Sequence, residues 1–196
     1  ITMISTDLDI AFQFNAPAYV AETGDLVFAY CKRFIDVVRQ LPDNNINISL
    51  INDCDININY GSSSINMRGF AAEQFPQLPD LAGDMQASVK GELFSRMVKQ
   101  TAIASANDEI QPILTGIMLD INGEQLNLVA TDFHRLTLCQ GVWQTQSQQQ
   151  TQVIVPAKTM LDVANLADAE EQVEISISHN NACFKMGATI FVSRLI

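Results

Sequence analysis

The sequence predicts an α+β protein with antiparallel sheets on one side and helices on the other, built on an internal repeat of about 126 residues. Three observations lead there. Lys32-Arg33-Phe34-Ile35-Asp36-Val37-Val38 and Lys158-Thr159-Met160-Leu161-Asp162-Val163-Ala164 agree at the Lys, the Asp and every apolar position, 126 residues apart. Gly61 with Gly187 and Arg68 with Arg194 keep that offset, while Thr6-Asp7 and Thr131-Asp132 stand 125 apart, one small indel away. Between these markers, alternating runs with the period of half-buried strands exchange with segments whose apolar residues recur at helical spacing.

Ile1-Thr2-Met3-Ile4 opens inside a strand without an initiator Met, so the chain reads as a piece of a longer one. Ile10, Phe12 and Phe14 alternate in the next strand, and the polar turn Glu22-Thr23-Gly24-Asp25 precedes Leu26-Val27-Phe28. A helix is expected over about residues 30–41, because Phe34, Val37, Val38 and Leu41 share one face and Pro42 ends it. Ile46/Ile48/Leu50, Ile56/Ile58/Tyr60 and the run from Ile65 to Arg68 read as three antiparallel strands, joined at Asn52-Asp53 and at Gly61. Residues 70–88 read as a linker or crossover, since Pro76 and Pro79 remove backbone donors, and the domain boundary is placed near residue 82.

Past that boundary, a helix over about 89–105 sets Phe94, Val98 and Ala102 against Glu92, Arg96 and Lys99. Strands at about 113–121 and 125–130 lead to Ala130–Leu136, where an Asp and a His interrupt the alternation at a hairpin or strand corner. A Gln-rich turn at 144–152, a helix at 156–167 and strands at 173–178, 181–186 and 189–195 complete the repeat.

At 196 residues and 47% hydrophobic, the chain suits one large or two modest globular domains. Cys31, Cys54, Cys139 and Cys183 lie far apart without CxxC or Cys/His ligand spacing, which favours reduced core thiols in a cytoplasmic protein and no metal site or cofactor. No apolar run reaches membrane-spanning length, and no secretory leader is expected.

Charge is distributed unevenly. The net charge of −11 argues against nucleic acid as a whole-chain statement. The expected helical windows, however, hold Lys32, Arg33, Arg39, Lys90, Arg96, Lys99 and Lys158 against Asp36, Glu92 and Asp162, which leaves four basic and 19 acidic residues for the rest. A helix surface of that kind suits sequence-blind phosphate contact, because no cluster of Asn, Gln and Arg stands at a helix N-terminus to read base edges.

In order and spacing, Gln111-Pro112-Ile113-Leu114-Thr115-Gly116, Ala130-Thr131-Asp132-Phe133-His134-Arg135-Leu136, Val155-Pro156-Ala157-Lys158, Phe184-Lys185-Met186-Gly187 and Ser193-Arg194-Leu195-Ile196 resemble the middle-domain motifs of the bacterial sliding clamp family, the beta subunit of DNA polymerase III. The resemblance extends over essentially the whole chain. It implies the DNA-clamp (processivity) fold, with residues 1–82 as the second half of the first clamp domain, 83–196 as the middle domain, and the third domain absent. It implies a non-catalytic processivity subunit of the polymerase holoenzyme, which in the full-length protein forms a homodimeric ring around double-stranded DNA and tethers the replicative polymerase. The seven helix cations named above become the DNA-facing set. Leu114, Thr131, Phe133, His134, Arg135 and Leu136 become this chain's share of a pocket that takes short peptides from the polymerase, the clamp loader and repair factors, and Phe133 stands where the family usually has a small residue. Ser62, Ser64 and Ile65 become the subunit seam, which lacks the basic residues common there.

Two other readings are carried beside this one. A repeat-built interaction scaffold without a DNA role has the same fold. For catalysis, Asp132 and His134 are two apart and would share a strand face as a minimal acid/base pair, but no nucleophile elbow accompanies them, and His179, Asp53/Asp55 and Glu170/Glu171 fall in turns. No catalytic residue is assigned. Asp132 and Arg135 also suit a simpler task, pinning a turn by hydrogen bonds.

Overall fold

The computed structural model describes residues 1–52, 54–78, 85–108, 110–145 and 150–196. Asp53, the expected boundary near residue 82 and the centre of the Gln-rich turn lie outside the described residues. Along the chain run β1 (Thr2–Thr6), β2 (Ile10–Asn15), β3 (Val27–Phe28), α1 (Cys31–Gln40), β4 (Asn47–Asn52), β5 (Asp55–Tyr60), β6 (Ser63–Phe70), β7 (Met85–Lys90), α2 (Gly91–Ala102), β8 (Gly116–Asn122), β9 (Gln125–Thr131), β10 (Leu136–Val142), β11 (Gln144–Thr145), β12 (Gln150–Pro156), α3 (Ala157–Leu166), β13 (Gln172–Ile177), β14 (Asn181–Met186) and β15 (Thr189–Arg194). They form two compact units, Ile1–Ala18 with Leu78–Ile196, and Tyr19–Gln77.

In the smaller unit, a four-stranded sheet has the order β3-β6-β5-β4. The alternation read from the sequence puts Ile56, Ile58 and Met67 on the buried face. α1 lies against it through Phe34, whose ring stacks on Phe28 at 4.1 Å.

The larger unit holds two sheets, β1-β2-β15-β14-β13-β7-β11 and β10-β9-β8-β12. Every pairing within both sheets is antiparallel. One core joins them, with Val173, Ile175, Phe184 and Phe191 from the first sheet, Ile117, Leu119, Leu126 and Leu128 from the second, and Phe94, Val98, Met160 and Val163 from α2 and α3. The two helices are also linked directly, Ser95 Oγ donating to the Ala164 carbonyl at 2.6 Å.

The repeat is legible residue by residue. Adding 126 to the bounds of α1 gives those of α3, and adding it to β5 gives β14. The glycines that close the matching hairpins, Gly61 and Gly187, both have φ of +53°, a left-handed turn conformation that glycine adopts without steric cost.

The structure corrects several sequence expectations. Residues 85–88, expected as linker, belong instead to strand β7, which pairs with β13 along its whole length. The helix expected from residue 89 begins at Gly91, because the Gly91 amide donates to the Glu171 carbonyl at 2.8 Å and a Cβ there would stand 1.9 Å from the Asp168 carbonyl oxygen. Lys90 is therefore the last strand residue, just outside α2. Pro112–Thr115 is a 3-10 turn, so β8 starts later than expected. The Gln-rich stretch hides the start of a strand: β12 pairs with β8, and Gln152 donates to Asp120 on the solvent side while Val155 is buried. Of the four thiols expected in the core, only Cys183 is buried.

The close approach at Gly91 gives a prediction. Gly91→Ala will lower the melting temperature despite the better helix propensity of alanine, by roughly 2–4 °C for each of the ~1–3 kcal/mol that overpacking costs. Gly24→Ala, where an added Cβ meets nothing within 4 Å, serves as the control and will leave the thermal melt unchanged.

Candidate functional site

The stretch Thr131–Leu136 is a turn joining β9 to β10, in which Leu136 pairs with Thr131. Its backbone is held from within. The Thr131 hydroxyl donates to the Arg135 carbonyl at 2.8 Å and accepts from the Phe133 amide at 3.2 Å. The Asp132 carboxylate accepts from the amides of His134 and Arg135 and, at 3.0 Å, from Arg135 Nε. Phe133 at the tip has φ of +71°.

Turn pinning is thus what Asp132 and Arg135 do. The acid/base reading fails on geometry: Asp132 and His134 lie in a turn rather than on one strand face, and the carboxylate is engaged by backbone amides. The Arg135 amide is the strongest influence holding the Asp132 carboxyl below its ordinary value, with the His134 amide and the Arg135 side chain adding to it against an opposing effect of partial desolvation.

The same turn is built a second time between β1 and β2. The Thr6 hydroxyl donates to the Ile10 carbonyl and accepts from the Leu8 amide, Asp7 accepts from the amides of Asp9 and Ile10, and Leu8 has φ of +80°. The Ile10 amide chiefly lowers the Asp7 carboxyl in turn.

The turn exposes two apolar side chains among polar ones. Phe133 is 72% exposed and Leu136 65%, Thr131 is half-buried, and His134 and Arg135 are exposed. The β8–β9 register sets Met118 opposite Val129, so Gly116 falls level with Thr131 and the 3-10 turn carrying half-buried Leu114 lies at the same end of the sheet. That turn also leaves Ile113 exposed, where the sequence leads one to expect a strand from about residue 113. Only the proline at its first position hints at this in the sequence.

The basic residues fall into two groups. Arg68, Arg135, Lys185 and Arg194, all on strands or turns, sit in ion pairs with Asp55, Asp132, Glu174 and Asp9. Lys32, Arg33, Arg39, Lys90, Arg96, Lys99 and Lys158 are exposed and, among the described residues, make no ion pair. In the larger unit, the last four belong to or border α2 and α3, whose apolar faces are used up by the core. In the smaller unit, Tyr30, Lys32, Arg33 and Asp36 line an open hollow of about 400 Å³ at the start of α1. Of the expected seam residues, Ser62 and Ser64 are exposed, and Ile65 is half-buried against the core of its own unit.

A duplicated strand–helix–sheet unit with unpaired cations on its helix layer defines a clamp-type architecture. The models of the DNA polymerase III beta subunit match nearly the whole chain, the N-terminal domain at residues 1–79 and the central domain at residues 88–196. The chain belongs to the DNA polymerase III beta subunit family. Among curated relatives, the beta sliding clamp of Staphylococcus epidermidis is 26% identical and that of Staphylococcus aureus 27%, each aligned over 100% of this chain and 54% of its own length. The DNA polymerase III subunit beta of Pseudomonas aeruginosa superposes with a TM-score of 0.92 at 28% identity, over 100% of this chain and 54% of that one. The DNA polymerase sliding clamp of Bacillus subtilis gives 0.92 at 25%, over 100% and 53%. The Pseudomonas aeruginosa clamp has also been solved bound to griselimycin, with a TM-score of 0.92 at 28% identity, over 100% and 53%. This chain therefore spans about half the length of the relatives it matches.

A pH prediction follows from the two turn aspartates. Their folded-state carboxyls are depressed, so the turns are stabilised at pH values above the unfolded carboxylate value of about 3.9 and lose that contribution as pH falls through the folded value. In a carboxyl-detected NMR titration, Asp7 and Asp132 will show midpoints below about 3.9. The amide signals of His134 and Arg135 will move with Asp132, and a midpoint at or above that value contradicts the assignment.

Proposed function

We propose that this chain is part of a DNA sliding clamp, a non-catalytic processivity subunit that in its full-length form encircles double-stranded DNA as a homodimeric ring in the cytoplasm and tethers the replicative polymerase. Residues 1–82 are read as the second half of the first clamp domain and 83–196 as the middle domain. The observation that supports the DNA assignment is the division of the basic residues: Arg68, Arg135, Lys185 and Arg194 sit in ion pairs with carboxylates, while the cations of the helices, and Lys90 at the end of β7, make no ion pair among the described residues, Lys158 acting only at longer range on Asp7. Unpaired, solvated cations contact phosphates without fixed geometry, which suits a protein that must hold DNA and still slide. Ser62, Ser64 and Ile65 are read as the seam. Leu114, Thr131, Phe133, His134, Arg135 and Leu136 are read as a docking point for short peptides of the polymerase, the clamp loader and repair factors. Support for that site comes from its open apolar side chains, and the griselimycin complex of the Pseudomonas aeruginosa relative adds that a clamp of this family takes a ligand.

Association with a short random-sequence duplex, followed by fluorescence anisotropy against salt, tests the DNA assignment. Binding will be weak, insensitive to sequence and steeply salt-dependent. Arg96→Ala and Lys99→Ala will each reduce the log–log slope by about 0.9, one phosphate contact each, while Lys185→Ala leaves it unchanged. If the sheet substitution weakens binding as much as the helix ones, the helix layer is not the DNA face. A complete lack of DNA association at low salt would favour the scaffold reading.

A further inference from the structure

We propose that Asn122 is a site of spontaneous deamidation, converted through a cyclic imide to aspartate and isoaspartate, and that the hydrogen bond from the Trp143 indole to neighbouring Gly123 governs how fast it is modified.

The chemistry is confined to two residues. The Gly123 backbone nitrogen attacks Cγ of Asn122, a C–N bond forms, the Cγ–Nδ2 bond breaks, and ammonia leaves with the proton that the Gly123 amide gives up through solvent. Water then opens the five-membered imide at either carbonyl, giving aspartate or isoaspartate without any oxidant or reductant. A side chain on the residue after the asparagine obstructs the attack. Every other asparagine of the chain precedes a residue that bears a side chain, and Asn122 alone precedes a glycine.

The hairpin between β8 and β9 leaves the amide group available. Asn122 ends β8, is exposed and pairs with Gln125, while Gly123, with φ of +56°, takes the first central position of the two-residue turn. Among the described residues the Asn122 side chain makes no hydrogen bond, whereas those of Asn57, Asn66 and Asn127 are held by partners on adjacent strands. The turns at Gly61 and Gly187 have the same left-handed glycine, but they follow Tyr60 and Met186, which offer no amide to attack.

Trp143 opposes the reaction. A strand residue stands its side chain roughly perpendicular to the sheet, so Cγ of Asn122 meets the Gly123 nitrogen only when the turn rotates. Rotation displaces the Gly123 carbonyl, which accepts from Trp143 Nε1 at 2.7 Å, and the next carbonyl, that of Glu124, accepts from the Trp143 amide at 3.0 Å. Trp143 is 2% exposed within the core of the larger unit and Gly123 is itself buried, so a broken bond leaves polar groups unpaired away from water. Modification thus proceeds from the open turn, and the indole decides how often the turn opens.

The test incubates the folded chain at mildly alkaline pH and follows each asparagine by mass spectrometry of proteolytic peptides, with synthetic peptides marking the retention of the aspartate and isoaspartate forms. The peptide containing Asn122 will gain the mass of an amide-to-acid exchange before any other, as both products, at a rate that rises with pH. Asn122→Gln will abolish the gain. Trp143→Phe, which keeps an aromatic ring and removes the indole donor, will be modified at Asn122 several-fold faster than wild type. Val163→Ala, a core truncation in α3, is the control for general loss of stability and will keep the wild-type rate. Retention of the Asn122 amide in both wild type and Trp143→Phe, or earlier change at another asparagine, overturns the site. Equal rates in wild type and Trp143→Phe, or equal acceleration by Val163→Ala, overturn the control by Trp143.

Discussion

Burial of α2 and α3 against two sheets at once is the constraint on which the larger unit rests. Phe94 meets Phe184 of the seven-stranded sheet, with ring centroids 5.9 Å apart, while Met97 packs where Gly141 of β10 leaves room, a Cβ there falling 2.5 Å from the Met97 sulfur. A helix held from two sides has a narrow solvent face left. Charged residues of α2 can stand only there, and side chains at that spacing, Glu92, Arg96 and Lys99, face water rather than the carboxylates carried by the strands. The free helix cations are therefore a consequence of packing as well as of composition.

The duplication was legible because it preserves the positions that cannot drift. Lys158 to Ala164 match Lys32 to Val38 at every apolar position, and Phe34 and its counterpart Met160 are both packed against a sheet. Gly61 and Gly187 match because a tight hairpin needs a left-handed residue at that point. What the pattern hid has equally physical causes. β7 lies in a stretch dominated by the prolines before it, and its alternation, Met85, Ala87, Val89, is short and interrupted by small residues. β12 opens on Gln and Thr because its outer face hydrogen-bonds to Asp120 instead of burying apolar area. The start of α2 at Gly91, one residue past Lys90, is hidden in the sequence, which does not reveal that the carbonyl of Asp168 excludes a side chain there. Of the candidate site, the turn and its residues were readable from Thr131-Asp132; the left-handed tip and the outward Ile113 required coordinates.

Sheet continuity also cuts across the division read from sequence. β2 pairs with β15 from Phe14 opposite Thr189 to Ile10 opposite Ser193, so the first eighteen residues complete the sheet of the larger unit even though they match the N-terminal family model. Phe12 meets Phe191 edge-on at 5.2 Å across that pairing, and Ala11 is buried with Val192 and Cys183 on the other face. Evolutionary segments and packing units differ here because an antiparallel ladder is indifferent to which repeat supplies its strands.

The twin turns separate what the backbone requires from what the side chains are free to do. Thr and Asp recur at the first two positions, and in both copies they make the same hydrogen bonds to the same relative amides and carbonyls. The third to fifth positions diverge: Leu8, Asp9 and Ile10 in one turn, Phe133, His134 and Arg135 in the other. In the first, Asp9 is tied to the neighbouring strand, its carbonyl accepting from the Arg194 amide and its carboxylate pairing with the Arg194 side chain at 3.6 Å. In the second, β10 stands at the edge of its sheet, and the turn's one ion pair is internal. A turn whose scaffold needs only two of its residues leaves the remaining three open to change without loss of fold. The copy whose free positions are not tied to a neighbouring strand is the one able to present them to a partner.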